Sequence, residues 1–184
     1  MKRSYWMYGA IAVVALLAVW MFSGYNALVT QRQNVDTAWN NVETAYQRRF
    51  DLVPNLVATV RGAADFEQET LTGITEARTQ WQNAGSREER VQAASALDRL
   101  IVTVESYPQL QATQAFRDLM VQLEGTENRI STERRDYNEA VREYNLTVRR
   151  FPGNILAGFF GYEAEPGFEA DEGAEDAPTV NFDV

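Results

Sequence analysis

The feature that most constrains this chain is an uncharged stretch near its N-terminus. No charged residue occurs between Arg3 and Arg32, and the segment from Ala10 to Phe22 is continuously apolar. A helix of about 20 apolar residues crosses the hydrocarbon core of a bilayer. Aromatic rings prefer the headgroup layers, and they bracket this stretch at Tyr5, Trp6, Tyr8, Trp20 and Tyr25. The sequence therefore predicts one transmembrane helix.

The same stretch could also be a cleaved signal peptide, because Met1-Lys2-Arg3 is a suitable positive n-region. The only late cleavage-like site, Tyr25-Asn26-Ala27, has a bulky tyrosine where a small residue belongs. We therefore assign residues 1–28 to a cytoplasmic tip and an uncleaved anchor. Two basic residues precede the span and only Arg32 closely follows it, so the positive-inside rule predicts a cytoplasmic N-terminus in the inner membrane. The soluble part then faces the periplasm or the exterior.

Charge is distributed unevenly along the chain. The net charge is −9, yet eight acidic residues and no basic ones lie from Glu163 onward. The rest is nearly neutral and gives no global indication of nucleic-acid binding. Residues 163–184 are predicted to be a disordered acidic tail. From Glu165 onward it should be dispensable for folding, because it holds too few apolar residues to offset the entropy of ordering. The alternative is that it docks on an arginine cluster, for example Arg134-Arg135 of a neighbouring copy.

Apolar residues recur at spacings of three and four throughout the intervening segment, which is typical of amphipathic helices. A first helix continues from the span through Trp39, a second runs from Pro54 towards Trp81, a third starts at a Ser86–Glu89 capping box, and the fourth extends from about Ala112 to Phe151. Residues 29–162 are thus predicted to be an all-α, antiparallel, up-and-down four-helix bundle. The expected core includes Trp39, Val57, Leu71, Ile74 and Ile130.

Charged residues interrupt the apolar lines of three of these helices. Their long stems could cover the seam while their heads reach water, or the residues could pair between helices and fix register. A catalytic carboxylate pair is a third, remote reading. With no histidine or cysteine in the chain, we predict no enzyme, no cofactor and no metal site. The candidate interhelical pairs are drawn from Arg32, Arg49, Glu67, Arg78, Glu127 and Arg134.

The segment after the fourth helix is short, apolar and rich in glycine. In an alternating bundle that helix ends beside the membrane, so the segment could close the core, enter the lipid interface or dock on a neighbouring copy. Three Tyr-Asn pairs, which begin at Tyr25, Tyr137 and Tyr144, fall near the same end and could satisfy backbone groups there. The candidate membrane-interface or self-association residues are Arg149, Arg150, Phe151, Ile155, Leu156, Phe159 and Phe160.

Several blocks of the sequence resemble the LemA family. They are Tyr25–Val29, Val35–Trp39, Arg48–Val57, Glu67, Ala77-Arg78, the two later Tyr-Asn pairs, and Phe151–Asn154 with Ala157 and Gly161. The resemblance implies a four-helix bundle behind one N-terminal membrane helix and no established catalytic activity. It also links the chain to bacterial envelope processes and, in magnetosome-forming bacteria, to membrane organisation. The acidic tail and Gly153 depart from the usual pattern.

Two classes of function follow. In the first, the chain is a scaffold that assembles with copies of itself, through residues 155–162 or the outer face of the fourth helix, where Phe116, Met120 and Leu123 are the distal candidates. In the second, it is an adapter that binds another membrane protein such as a protease or sensor. The lipid bilayer is the expected partner in both.

Overall fold

The protein is all-helical. A computed structural model describes residues 2–61 and 68–169, and no strand occurs among them. This confirms the predicted fold class at the level of secondary structure, whereas the antiparallel four-helix bundle remains a prediction. The helices are α1 (Lys2–Phe50), α2 (Val53–Arg61), α3 (Gln68–Asn83), α4 (Arg87–Glu105), α5 (Pro108–Gln111), α6 (Gln114–Arg149) and α7 (Gly153–Phe160).

Helix α1 runs for 49 residues without interruption, in keeping with the absence of proline from its sequence. Within the described part of the chain it is the one helix long and apolar enough to cross a membrane. Between Trp6 and Phe22 every side chain except that of Ala18 is exposed. The predicted apolar N-terminal helix is therefore present, and its apolar surface has no cover within the described chain.

Beyond the span, α1 buries the apolar line that its spacing predicts. Leu28, Val35, Trp39, Val42 and Tyr46 are all buried. The helix ends at Phe50, and Pro54 then lies in the first turn of α2, where its missing N–H costs no hydrogen bond.

The predicted second helix corresponds to two described helices, α2 and α3, and residues 62–67 lie outside the described residues. Its apolar line needs one correction. Val57 is only half-buried, whereas Val53, Leu56 and Val60 are buried. Leu56 and Val57 both fit a helical spacing with Val53 and Val60, so periodicity alone could not decide between them, and it is Leu56 that is buried. The other predicted core residues, Trp39, Leu71, Ile74 and Ile130, are buried as expected.

The predicted cap of the next helix is present with one difference. The Ser86 Oγ accepts a hydrogen bond from the Glu89 backbone N–H at 3.2 Å. The Glu89 carboxylate accepts from the Gly85 N–H at 2.7 Å, one residue earlier than a standard capping box requires. Helix α3 packs along α4, so the turn at Gly85 joins two neighbouring helices.

Contacts divide the chain into two compact units. Among the described residues, the central unit comprises residues 39–61 and 68–133, and the terminal unit comprises residues 2–38 and 134–169. Phe116, Met120 and Leu123 of α6 were expected to need a partner outside the chain. For Phe116 and Leu123 that expectation is wrong, since the chain itself buries them, and Met120 is half-buried.

Candidate functional site

Arg49 is the most deeply buried charge among the predicted pairing residues. Its side chain is 7% exposed, and its guanidinium contacts the carboxylates of Asp98, at 2.9 Å, and Glu127. The structure thus brings two of the six predicted residues, Arg49 and Glu127, together from different helices. The side chains of Asp98 and Glu127 are 43% and 50% exposed, although the Oδ1 atom of Asp98 is itself buried. The cluster therefore joins one buried cation to two partly exposed carboxylates.

A cleft of about 380 Å³ lies beside this cluster. Apolar side chains of α4 and α6 form part of its wall, together with Arg49 and the carboxylates of Asp98, Glu105, Glu124 and Glu127. One cation among four acids makes this cleft acidic. No group of His, Cys, Asp or Glu residues in the described part of the chain is arranged to hold a metal ion.

The remaining predicted charges have other partners. Arg32 pairs with Glu165 and, at 3.7 Å, with Asp36. The guanidinium of Arg134 lies 4.6 Å from the centroid of the Phe168 ring. Arg78 is half-buried, and no ion pair between described residues involves it. Glu67 lies outside the described residues.

Helix α7 packs on the end of the apolar part of α1. Leu156 is 4% exposed and lies so close to Gly24 that a Cβ built there would collide with its Cδ1 atom. The rings of Phe160 and Tyr25 are 4.8 Å apart. Leu156 was predicted to contact lipid or another copy. This is wrong, because its side chain is buried against Gly24.

Another face of α7 is exposed and apolar. Ile155 is 55% exposed and Phe159 77%, whereas Phe160 is 38% exposed. Phe151, in the turn before α7, is 81% exposed, and Arg149 and Arg150, at the end of α6, are exposed as well. Six of the seven residues predicted for this surface are therefore exposed.

An extended segment, residues 163–168, lies on α6 and is held by its backbone. Asn145 donates to the Glu165 carbonyl at 2.8 Å and accepts from the Glu165 N–H at 2.9 Å. Asn138 makes the same two bonds to Phe168, at 3.0 and 2.7 Å. Tyr144 and Tyr137 donate their hydroxyls to the carbonyls of Glu163 and Pro166. We call these four side chains the Tyr-Asn clamp.

The tail predicted to start at Glu163 therefore begins with a docked segment, residues 163–168. That the chain folds without the residues from Glu165 onward stays a prediction. The composition argument counted apolar side chains, but this segment is held mainly by hydrogen bonds to its main chain. Two side chains add contacts: Glu165 meets Arg32, and Phe168 lies edge-on to Tyr137 with ring centroids 5.4 Å apart. Residues 170–184, the rest of the predicted tail, lie outside the described residues.

Comparison with known proteins gives a consistent result. The model of the LemA family matches residues 38–182. Magnetosome protein MamQ 2 of Paramagnetospirillum magneticum is 28% identical over 200 residues, which cover 92% of this chain and 73% of that protein. MamQ of Magnetospirillum gryphiswaldense is 26% identical, with 93% and 74% covered. Protein LemA of Metamycoplasma hominis is 25% identical, with 72% and 63% covered.

Proposed function

This chain belongs to the LemA family, and from that premise we propose that it is a membrane-anchored, non-enzymatic scaffold that assembles with copies of itself and organises the bilayer around it. The observation that carries the proposal is the association of two uncovered apolar surfaces. The exposed run of α1 is one, and the exposed face of α7, packed on its end at Gly24 and Tyr25, is the other. Exposed apolar patches of this kind mark membrane or protein contacts.

The relatives support the membrane part of the proposal. Two of them carry names that place them in the magnetosome, a membrane-associated setting. We propose the inner membrane as the location of this chain, with Lys2 and Arg3 in the cytoplasm. A reporter active only outside the cytoplasm, fused after Glu169, should then be active. Activity of a cytoplasm-only reporter at the same site would reverse the orientation.

We further propose that the soluble helices form an up-and-down four-helix bundle whose outer face contacts neighbouring copies. Confinement to a membrane plane raises the effective concentration, so weak lateral contacts suffice. Val121 of α6 is 67% exposed and replaces the buried Phe116 and Leu123 as the contact candidate on this helix.

Particle mass tests the scaffold directly. Mass photometry of the detergent-solubilised chain should give multiples of 20.8 kDa. Val121→Asp should reduce the mass, whereas Val102→Asp, a valine of similar exposure on α4, should leave it unchanged. A homogeneous monomer over a broad concentration range would contradict the scaffold.

The second candidate is an adapter for another membrane protein, favoured by the Tyr-Asn clamp. Recognition of backbone groups rather than side chains is how extended peptides are commonly bound, and α6 already holds one such segment. A stoichiometric membrane-protein partner, recovered with a monomeric chain, would favour the adapter over the scaffold.

A further inference from the structure

We propose that α7 is a second membrane contact: an interfacial helix whose exposed face, formed by Ile155 and Phe159 and extended by Phe151 in the preceding turn, lies in the lipid at the boundary between acyl chains and headgroups. Lipid is thus the partner of the exposed face of α7. This assignment rests on the proposed function only in requiring that α1 spans the bilayer.

Ile155 and Phe159 are four residues apart on α7, so they are rotated by only about 40° around the helix. Phe151 lies in the turn two residues before α7 and extends the same exposed apolar surface. Together the three side chains form an apolar stripe. They are 81%, 55% and 77% exposed in the order 151, 155 and 159, whereas Leu156 and Ala157 of α7 are buried. Helix α7 therefore has one face held by the protein and one apolar face without cover among the described residues.

The depth of α7 in the bilayer follows from its contacts with α1. A span of about 20 residues rises about 30 Å, so a span that begins near Tyr5 ends near Gly24. Leu156 packs against Gly24, and Phe160 packs against Tyr25. Because both contacts fall where the apolar run ends, the exposed stripe is held at the depth of the lipid boundary.

Charge and area favour lipid over a second copy. Arg149 and Arg150 are exposed next to the stripe, where cations interact with anionic headgroups; Glu163 is the exposed acid nearest in sequence on the other side. The two aromatic side chains, Phe151 and Phe159, contribute roughly 300–500 Å² at about 150–250 Å² for each buried aromatic, and Ile155 adds one aliphatic side chain. A stable interface buries about 800 Å² per partner, so the stripe is small for a dimer but sufficient for shallow insertion.

Spin-label accessibility tests the placement. The chain has no cysteine, so single-cysteine variants label cleanly in the full-length protein. Phe159→Cys and Ile155→Cys are each labelled with a nitroxide in vesicles of phosphatidylcholine alone or mixed equally with phosphatidylglycerol. Leu17→Cys, 57% exposed within the span, is the lipid control, and Val102→Cys, 65% exposed on α4, is the water control.

Nitroxides at 159 and 155 should collide with a water-soluble nickel complex several-fold less often than the label at 102. Their ratio of oxygen to nickel accessibility should lie between the ratio at 102, in water, and the ratio at 17, deeper in the bilayer. High nickel accessibility at both positions would place α7 in water and overturn the inference. Low accessibility to both reagents would mean that protein covers the stripe, and would overturn it in favour of a second copy.

Failure of this inference can be told apart from failure of the scaffold. The double variant Ile155→Ser with Phe159→Ser should keep the particle mass of the parent chain, because lipid rather than protein covers the stripe. A fall in mass to that of the monomer would identify the stripe as the assembly contact and overturn the lipid assignment, while leaving the scaffold intact.

Discussion

Both the central and the terminal unit bury apolar side chains, but each has a set of contacts that the other lacks. In the central unit, the Trp81 ring stacks on Phe50 at 4.8 Å and lies 5.3 Å from Tyr46, within a set of buried aliphatic residues from α1 to α6. In the terminal unit, the Tyr-Asn clamp fastens residues 163–168 to α6 by six hydrogen bonds to their backbone.

Because of this difference, we expect substitutions in the two kinds of contact to affect the stability of the protein differently. Apolar burial is non-directional and roughly proportional to area, so its loss weakens the whole unit. A hydrogen bond contributes only about 0.5–1.5 kcal/mol net, and its geometry is strict. We therefore expect substitutions in the central unit to lower global stability, and substitutions in the clamp to release a segment with a smaller effect on the rest.

The largest effect should come from Trp81→Ala. The residue is 3% exposed and its indole N–H donates to Gln47 at 3.2 Å, so the change creates a large cavity. We expect a loss of about 3–5 kcal/mol in the free energy of unfolding, measured by denaturant titration. Val102→Ala, at an exposed site, should stay within about 0.5 kcal/mol. Similar losses for both variants would remove the contrast between core and surface.

Arg49→Ala should have the next largest effect, about 1–3 kcal/mol, because it removes charged hydrogen bonds and a buried stem together. Arg49→Met should cost clearly less. It keeps the apolar stem, and the two carboxylates, half-exposed already, regain water. If methionine costs as much as alanine, the charge rather than the stem stabilises the central unit.

Asn145→Ala should act locally. It deletes two hydrogen bonds to Glu165, at about 0.5–1.5 kcal/mol each. Amide hydrogen exchange should show lost protection at Glu165, while α3 and α4 keep theirs. Asn128→Ala, at an exposed asparagine of the same helix, is the matched control. Loss of protection throughout the central unit would show that the clamp supports the whole fold.

Glu165→Gln should have the smallest effect, about 0–1 kcal/mol, because its partner Arg32 is 37% exposed. Burial alone lowers the pKa of Arg32, but the hydrogen bond and the charge of Glu165 outweigh it, so the pKa is raised above its ordinary value. Stability from a raised basic pKa is lost only as pH rises through the folded-state value, so none is lost through Arg32 at neutral pH. A parent-to-variant difference that persists in high salt would contradict a screened ion pair.

Much of the fold was predictable from the sequence, because periodicity reports burial directly. The line from Leu28 to Tyr46, the cap at Ser86 and the length of α6 all follow from spacing and capping chemistry. The predicted burial of Val57 was wrong, because Leu56, one residue earlier, fits the same helical period and is the residue that is buried.

The candidate site was less predictable, since it depends on tertiary contacts. The exposed stripe of α7 was anticipated, but Leu156 lies within the same apolar run, and only the contact with Gly24 separates it from its neighbours. The docking of residues 163–168 could not be predicted from apolar residues in the sequence, because the segment is held mainly through its backbone. The signal that could have found it was the seven-residue repeat of Tyr-Asn between Tyr137 and Tyr144, which places matching polar groups on one helix face.

The seven-residue spacing of this repeat determines which residues of the docked segment can bind to α6. Seven helical residues advance about 10.5 Å, and three extended residues advance about 10 Å, so Asn145 and Asn138 meet Glu165 and Phe168 in step. A slip that moved Pro166 opposite Asn145 would lose one bond, because proline has no N–H to donate. Gly167 leaves no room for a side chain either, since a Cβ there would lie 2.9 Å from Asn138 Oδ1. Seven residues of the α6 helix therefore match three residues of the docked segment in length, and this match fixes the register of the segment on the helix.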